Sequence, residues 1–317
     1  MGKRSRIALL LLAALLILAG YTLYTPDLRH EDLLRKYGDG PSQFIRLADG
    51  TRVHYRAHGD RAAPVIVLLH GTSSNAFTWE GWARALSGRY RLISIDLPGH
   101  GLTGRIANED YSDEAAVAFV KAVTEKLDLY RFALAGNSWG GELAGAFALA
   151  NPRRVTQLIL IDAGGIPLPE DGRKAPIAFQ LMGKPVIGNM LAWITPRPIV
   201  AEAMHSIYGD PSKVSDGLID LYHDMVRHEG NRQATRLRVR LGQTDLLGGR
   251  LKDIRQPTLI LWGAKDGLIP LSIGRQFDEE IPNSTLQVFE DAGHVPMEEI
   301  PAETAAAAEA FLSSHSR

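Results

Sequence analysis

The sequence predicts an α/β fold: a mostly parallel sheet with helices on both faces and an inserted helical cap. Three observations predict it. Short, continuous apolar runs recur along the chain, as strands buried on both faces require. Amphipathic segments of helical period separate these runs, and such alternation builds a parallel sheet. After Asp162 the alternation stops; residues 164–249 are Pro-rich and then helix-like, and strands resume only at Thr258.

At the N-terminus, Lys3, Arg4 and Arg6 precede an apolar stretch from Ile7 to Ala19, which Gly20 and Tyr21 to Tyr24 extend. Its length is near the lower limit for a membrane-crossing helix. Tyr21 and Tyr24 would suit the far interface. The expectation is therefore a signal-anchor over residues 1–24 with the remainder exported to the periplasmic or extracellular side. A cleaved signal peptide is the competing reading, although Leu18-Ala19-Gly20 is a poor cleavage pattern. Residues 25–42, with Pro26, Gly38, Gly40 and Pro41, read as a polar linker with room for one short helix.

The first globular residues, Gln43 to Leu47 and Thr51 to Ala57, flank Asp49-Gly50 and form an expected hairpin. Val65 to Leu69 and Arg91 to Ile95 are buried strands, with a helix from Trp79 to Leu86 between them. Asp113 to Leu127 spaces Ala116, Val120, Val123 and Leu127 as one helix face does. A strand at residues 131–135, a helix at 140–150 ended by Asn151-Pro152, and a strand from Val155 to Ile161 follow. Beyond the interruption come strand Thr258 to Trp262, helix Leu271 to Glu280, strand Thr285 to Phe289 and helix Met297 to Leu312. The expected division is a core of 43–163 and 250–317 with a cap of 164–249. An insertion there sits over the carboxyl end of the sheet, where open α/β sheets bind ligands.

Composition excludes several chemistries. The chain has 317 residues, is 45% hydrophobic and 22% charged, and carries a formal net charge of −1. That balance is ordinary for a globular protein and gives no reason to expect nucleic acid as a partner. There is no cysteine, so disulfides, thiolate metal sites and a thiol nucleophile are all out.

Gly136-Asn137-Ser138-Trp139-Gly140 lies between a predicted strand and a predicted helix. A serine on such a strained turn presents its hydroxyl at the end of the sheet. It needs a base, and the base needs an orienting group. His294, in the loop before the last helix, is the expected base. Asp266, after the strand ending at Trp262-Gly263, is the expected acid, with Asp162 and Asp291 as rivals. The oxyanion donors are expected at the backbone N–H groups of Trp139 and Thr72, with Ser73 and Ser74 nearby. His70 and His100 lie in Gly-containing turns and read as structural. This chemistry requires neither a metal nor an organic cofactor.

From Gln43 to the C-terminus the chain resembles α/β-hydrolase-fold enzymes of the serine-nucleophile, esterase- and lipase-like branch. The resemblance rests on His70-Gly71-Thr72, Asp96-Leu97-Pro98-Gly99-His100-Gly101, Gly136-Asn137-Ser138-Trp139-Gly140-Gly141, Gly263-Ala264-Lys265-Asp266 and Gly293-His294. It implies a structural role for the Asp96–Gly101 turn. The region from His70 to Trp79, with Trp139, is also similar to haloalkane dehalogenases. Those enzymes, like epoxide hydrolases, use an aspartate nucleophile, and Ser138 in its place argues against both activities. The Gly-Asn-Ser-x-Gly-Gly form resembles hydrolases that split carbon–carbon bonds of ring-fission products, whose longer Gly- and Pro-containing oxyanion loop Thr72 to Asn75 does not match.

The expected function is a membrane-anchored serine hydrolase that cleaves small or lipid-like carboxylic esters through an acyl-enzyme. Carbon–carbon or amide hydrolysis by the same three residues is the alternative, and a non-catalytic binding protein comes third. In the cap, Arg227, Arg232, Arg236, Arg238 and Arg240 either hold a substrate carboxylate or phosphate or form a solvated face. Phe179, Met182, Met190 and Trp193 either line an acyl pocket or fill the cap's core.

Overall fold

A computed structural model describes residues 5, 24–168, 184, 188, 193–242 and 245–315. Eight strands form one sheet: β1 (Ser42–Arg46), β2 (Arg52–His58), β3 (Val65–Leu69), β4 (Arg91–Ile95), β5 (Phe132–Asn137), β6 (Val155–Ile161), β7 (Thr258–Gly263) and β8 (Ser284–Phe289). Their spatial order is β1-β2-β4-β3-β5-β6-β7-β8. Strands β3 to β8 run parallel to one another, and β2 pairs antiparallel with both β1 and β4. The mostly parallel sheet is as the sequence predicts.

The continuous apolar runs have a simple cause. Successive side chains of a strand point to opposite faces, and here both faces are covered. Val67 and Leu69 enter one core with Ile93, Leu134, Leu160 and Ile260. Their neighbours Ile66 and Leu68 enter the other with Leu92, Ala135, Ile159 and Leu261. Each fully buried Leu or Ile side chain contributes about 1.5–3 kcal/mol, so both parities of the strand must be apolar.

Helices α1 (His30–Tyr37), α2 (Glu80–Leu86), α3 (Asp113–Lys126) and α4 (Trp139–Ala150) precede β6. Ser112 starts α3 by accepting the Ala115 N–H on its hydroxyl, one of the orphan donors of a helix start. Between β6 and β7 the described helices are α5 (Arg197–Ile207), α6 (Asp216–Val226) and α7 (Asn231–Leu241), and α8 (Leu271–Glu280), α9 (Pro296–Glu299) and α10 (Pro301–Ser314) close the chain. Helices α3, α4 and α8 pack on the face bearing Val67, and α2 and α10 on the opposite face. The single helix expected over Met297 to Leu312 is two, because Pro301 supplies no N–H. Ile300, forced out of the helical region by the following proline, sits at φ −132° and ψ 61°.

The expected hairpin forms, with Arg46 opposite Arg52. The Asp49 carboxylate accepts the Thr51 N–H at 2.9 Å and so closes the turn. The polar segment at residues 25–42 lies against α6 and α7. Leu28 bridges to His228, Arg232 pairs with Asp27 at 2.5 Å, and Lys36 and the Tyr37 hydroxyl both bind Asp224. His30 and Leu33 of α1 are buried there.

Candidate active site

Parallel strands bring every loop that follows them to one end of the sheet. Ser138 follows β5, Asp162 follows β6, Asp266 follows β7 and His294 follows β8. His70 and Asp96 follow β3 and β4 at that same end. The site is assembled here, under α5–α7.

Ser138 stands at φ 55° and ψ −120°, between the end of β5 and the first residue of α4. A non-glycine residue there costs on the order of 1–3 kcal/mol, and the surrounding backbone holds it. A Cβ at Gly136 would lie 2.1 Å from the Gly140 carbonyl oxygen. One at Gly140 would lie 2.3 Å from the Leu69 oxygen and 2.6 Å from that of His70. The two motif glycines therefore let β5, α4 and the β3 loop meet at backbone distance. Gly140→Ala is expected to lower unfolding free energy by at least about 2 kcal/mol in urea titration, since only backbone can yield.

His294 is buried, and its Nδ1 lies 2.7 Å from Asp266 Oδ2. The other Asp266 oxygen accepts the N–H groups of Leu268 at 2.7 Å and Ile269 at 3.0 Å. Those bonds fix the carboxylate, which in turn fixes the imidazole with its proton on Nδ1 and Nε2 free to accept. The His294 loop is held twice more. Its backbone N–H donates to the Ile207 carbonyl of α5 at 2.7 Å, and its carbonyl accepts the Asn137 amide at 2.9 Å. Sequence reasoning missed Asn137, which also bonds the Ile161 carbonyl and so ties the end of β5 to the His294 loop. Its place immediately before Ser138 was the available signal. Among the described residues no hydrogen bond joins Ser138 to His294.

The rivals for the acid separate by burial. Asp291 pairs with Lys265 at 2.8 Å, and its side chain is 92% exposed. Asp162 is fully buried beside Asp266 and His294, and one of its oxygens accepts the Gly263 N–H at 3.0 Å.

The loop after β3 borders Ser138, since a Cβ on Gly71 would be 3.0 Å from that of Ser138. The Thr72 N–H has no backbone partner among the described residues. Trp139 opens α4, where a helix N–H lacks an intrahelical acceptor. Ser74 meets the Tyr222 hydroxyl of α6 at 3.0 Å, while Asn75 caps the next turn by accepting the Phe77 N–H. His70 and His100 make backbone hydrogen bonds, and burial pushes His100 down to about 3. Asp96 clamps its turn through His54, Ala76 and Leu102.

The cap arginines divide. Arg227 bonds the Pro26 carbonyl, and Arg232 bonds Asp27 and Thr25. Arg236 contacts Gln233, and Arg240 is exposed. Arg238 reaches inward, with its guanidinium 4.0 Å from the centroid of the Trp139 ring and 3.4 Å from Asp113. Its Nε is buried with no hydrogen-bond partner among the described residues. Trp193 is 53% exposed and stacks on Tyr24, so it lines no acyl pocket. Phe179, Met182 and Met190 lie outside the described residues.

A family model described as the alpha/beta hydrolase family matches residues 66–307. The chain belongs to that family. A 2-hydroxy-6-oxononadienedioate/2-hydroxy-6-oxononatrienedioate hydrolase of Pseudomonas putida is 31% identical over 80% of this chain and 90% of its own. A meta-cleavage product hydrolase from Pseudomonas fluorescens IP01, solved as a mutant complexed with acetates, superposes with TM-score 0.74 at 25% identity. The match covers 87% of this chain and 98% of that one. A bacterial membrane phospholipase A superposes with TM-score 0.75 over 99% of each chain at 24% identity, which speaks for the fold alone.

These findings correct the expectation of a membrane-anchored carboxylic-ester hydrolase. Two relatives at 30% and 31% identity are named for an oxo-dicarboxylate. Among the described residues no helix is long and apolar enough to cross a membrane. Except for Tyr24, the expected anchor from Ile7 to Tyr24 lies outside the described residues. The exported location rested on that anchor and is given up with it.

Proposed function

We propose that this hydrolase splits a carbon–carbon bond of a small oxo-dicarboxylate. The observation that carries the reading is the likeness to hydrolases named for 2-hydroxy-6-oxononadienedioate, over 80% of the chain. A compound of that name has no ester or amide bond. Water can divide it only at a carbon–carbon bond beside the ketone.

In this reading Ser138 Oγ adds to the ketone carbon and passes its proton to His294 Nε2. The backbone N–H groups of Trp139 and Thr72 stabilise the oxyanion, and Asp266 stabilises the imidazolium. The carbon–carbon bond then breaks. The substrate reacts as its 2-oxo tautomer, in which the 2-hydroxyl proton has moved to C5. The electron pair of that bond therefore enters the 2-oxo-3-ene as a dienolate, which takes the proton from His294 at oxygen and leaves as the 2-hydroxydienoate. Water, with His294 as base, releases the acyl group from Ser138 as a carboxylic acid.

Arg238 is the cap group best placed for a substrate carboxylate. It lies over the residue that follows the nucleophile, and its Nε is a buried donor awaiting an acceptor. A charge-assisted hydrogen bond contributes about 1.5–3 kcal/mol. Arg238→Gln should therefore raise KM for the dicarboxylate by about tenfold or more. An analogue lacking the distal carboxylate should be unaffected.

The test follows the loss of the conjugated absorbance of 2-hydroxy-6-oxononadienedioate in the presence of the full chain. Turnover that disappears in Ser138→Ala supports the reading. A wild-type chain that binds such dicarboxylates without cleaving any would sink it.

A further inference from the structure

Asp162 directly follows β6, with a left-handed φ of 43°. Its side chain is wholly buried. One carboxyl oxygen accepts the Gly263 N–H at 3.0 Å. The other, also buried, faces no N–H or O–H donor among the described residues. Asp162, Asp266 and His294 each place a side-chain donor or acceptor atom within 4.8 Å of those of the other two.

An ionised carboxylate accepts roughly four hydrogen bonds. Asp266 receives three, from Leu268, Ile269 and His294. One acceptor position on Asp266 is open, and one oxygen on Asp162 is without a donor. A single proton between the two carboxyls satisfies both. Without it, two negative charges would share a buried site, and like charges so close do not both ionise readily. The titratable groups facing Asp162 are Asp266 from the β7 loop, His294 from the β8 loop and Glu299 from α9. Glu299 is already engaged by the backbone N–H groups of Gly209, Asp210 and Gly293. Burial, and next the charge of Asp266, push the Asp162 carboxyl well above the usual carboxylate range.

We infer that Asp162 is a positioning residue whose carboxyl O–H donates a hydrogen bond to the Asp266 carboxylate, behind the imidazole of His294. The inference rests on the reading that Ser138, His294 and Asp266 perform the hydrolysis. The bond has two effects. It locks the fourth acceptor position of Asp266, so that the carboxylate cannot swing from Nδ1. It also spreads the charge of Asp266, which weakens the pull of that carboxylate on a proton at the imidazole.

The sign of each pH effect follows. Removing the donor leaves the Asp266 charge concentrated on the oxygens facing His294 and favours the imidazolium, so the acid limb of activity moves to higher pH. Ionising Asp162 breaks the same bond and lets the Asp266 carboxylate swing from Nδ1, so the wild-type chain has an alkaline limb that belongs to Asp162 and falls to the lower rate of Asp162→Ala. An amide in its place donates N–H to Asp266, accepts from Gly263 and cannot ionise.

The experiment measures the rate at which an organophosphonate labels Ser138 in the full chain, from pH 5 to pH 10, with thermal midpoints recorded alongside. This readout requires only the serine and its base and is independent of the carbon–carbon substrate. Asp162→Ala should move the acid limb up by about one pH unit. Asp162→Asn should keep the wild-type acid limb and lose the alkaline one. An Asp162→Asn profile as displaced as that of Asp162→Ala would overturn the inference. So would two profiles of wild-type shape with only lowered thermal midpoints, which mark a merely structural residue. Labelling that persists in Ser138→Ala would instead overturn the assignment of the nucleophile.

Discussion

Ser138→Ala is expected to lower turnover by about 10⁴-fold or more, with little change in substrate binding. The hydroxyl oxygen makes the covalent bond to the ketone carbon from which the proposed acyl-enzyme forms. Neither the base nor the oxyanion donors can replace it, and comparable removals cost on the order of 10⁶ in kcat. Stability provides a second reading of the same residue. Ser138 is held at φ 55° and ψ −120°, a strain of about 1–3 kcal/mol for a residue with a Cβ. Glycine relieves that strain, while its freer unfolded chain returns about 0.5–1 kcal/mol of the gain. Ser138→Gly should therefore be inactive and yet about 1 kcal/mol more stable in urea titration. Ser138→Ala, which keeps the Cβ, should be inactive at nearly wild-type stability. A protein that keeps a tenth of its turnover after losing this hydroxyl does not use it as the nucleophile.

The sheet was legible because burial on both faces forces a local signal. Val65 to Leu69 has to be apolar at every position, since Ile66 and Val67 fill different cores. The nucleophile turn was legible for a comparable reason: the contacts at Gly136 and Gly140 are backbone contacts that no other residue type permits. The packing of residues 25–42 was not legible. Its determinants are pairs far apart in sequence, such as Asp27 with Arg232 and Lys36 with Asp224, and a polar segment gives no sign of which distant partner it will meet. Asn137 was overlooked because a bond to the carbonyl of His294 depends on two loops that only the finished sheet brings together. Asp266 was expected over Asp162 and Asp291 on loop position alone, for the same reason. All three follow strands that end on one side, and exposure separates Asp291 from the others only once the chain is folded.

Asp266→Asn is expected to cost about 10⁴-fold in kcat with KM nearly unchanged. The reason is geometric before it is electrostatic. Asp266 Oδ2 meets His294 Nδ1 at 2.7 Å, which fixes the proton on Nδ1 and leaves Nε2 to accept from the serine. The two backbone N–H groups at Leu268 and Ile269 require an oxygen at the other position. An asparagine obeying them must turn its NH₂ group toward His294. That group can only donate, so the imidazole shifts its proton to Nε2, where a base must be empty. The carboxylate charge that stabilises the imidazolium is lost in the same step. Folding should hardly change, because the amide preserves shape and the two backbone bonds. A loss of less than tenfold would move the orienting role elsewhere. Among the described residues Asp162 is the other carboxyl grouped with Asp266 and the His294 ring within 4.8 Å, and with Asp266 neutral only its burial, no longer that neighbour's charge, would oppose its ionisation. The double variant Asp162→Asn/Asp266→Asn separates the two cases: further loss on the second substitution assigns the residual activity to Asp162, and no further loss assigns it to the serine, histidine and oxyanion donors alone.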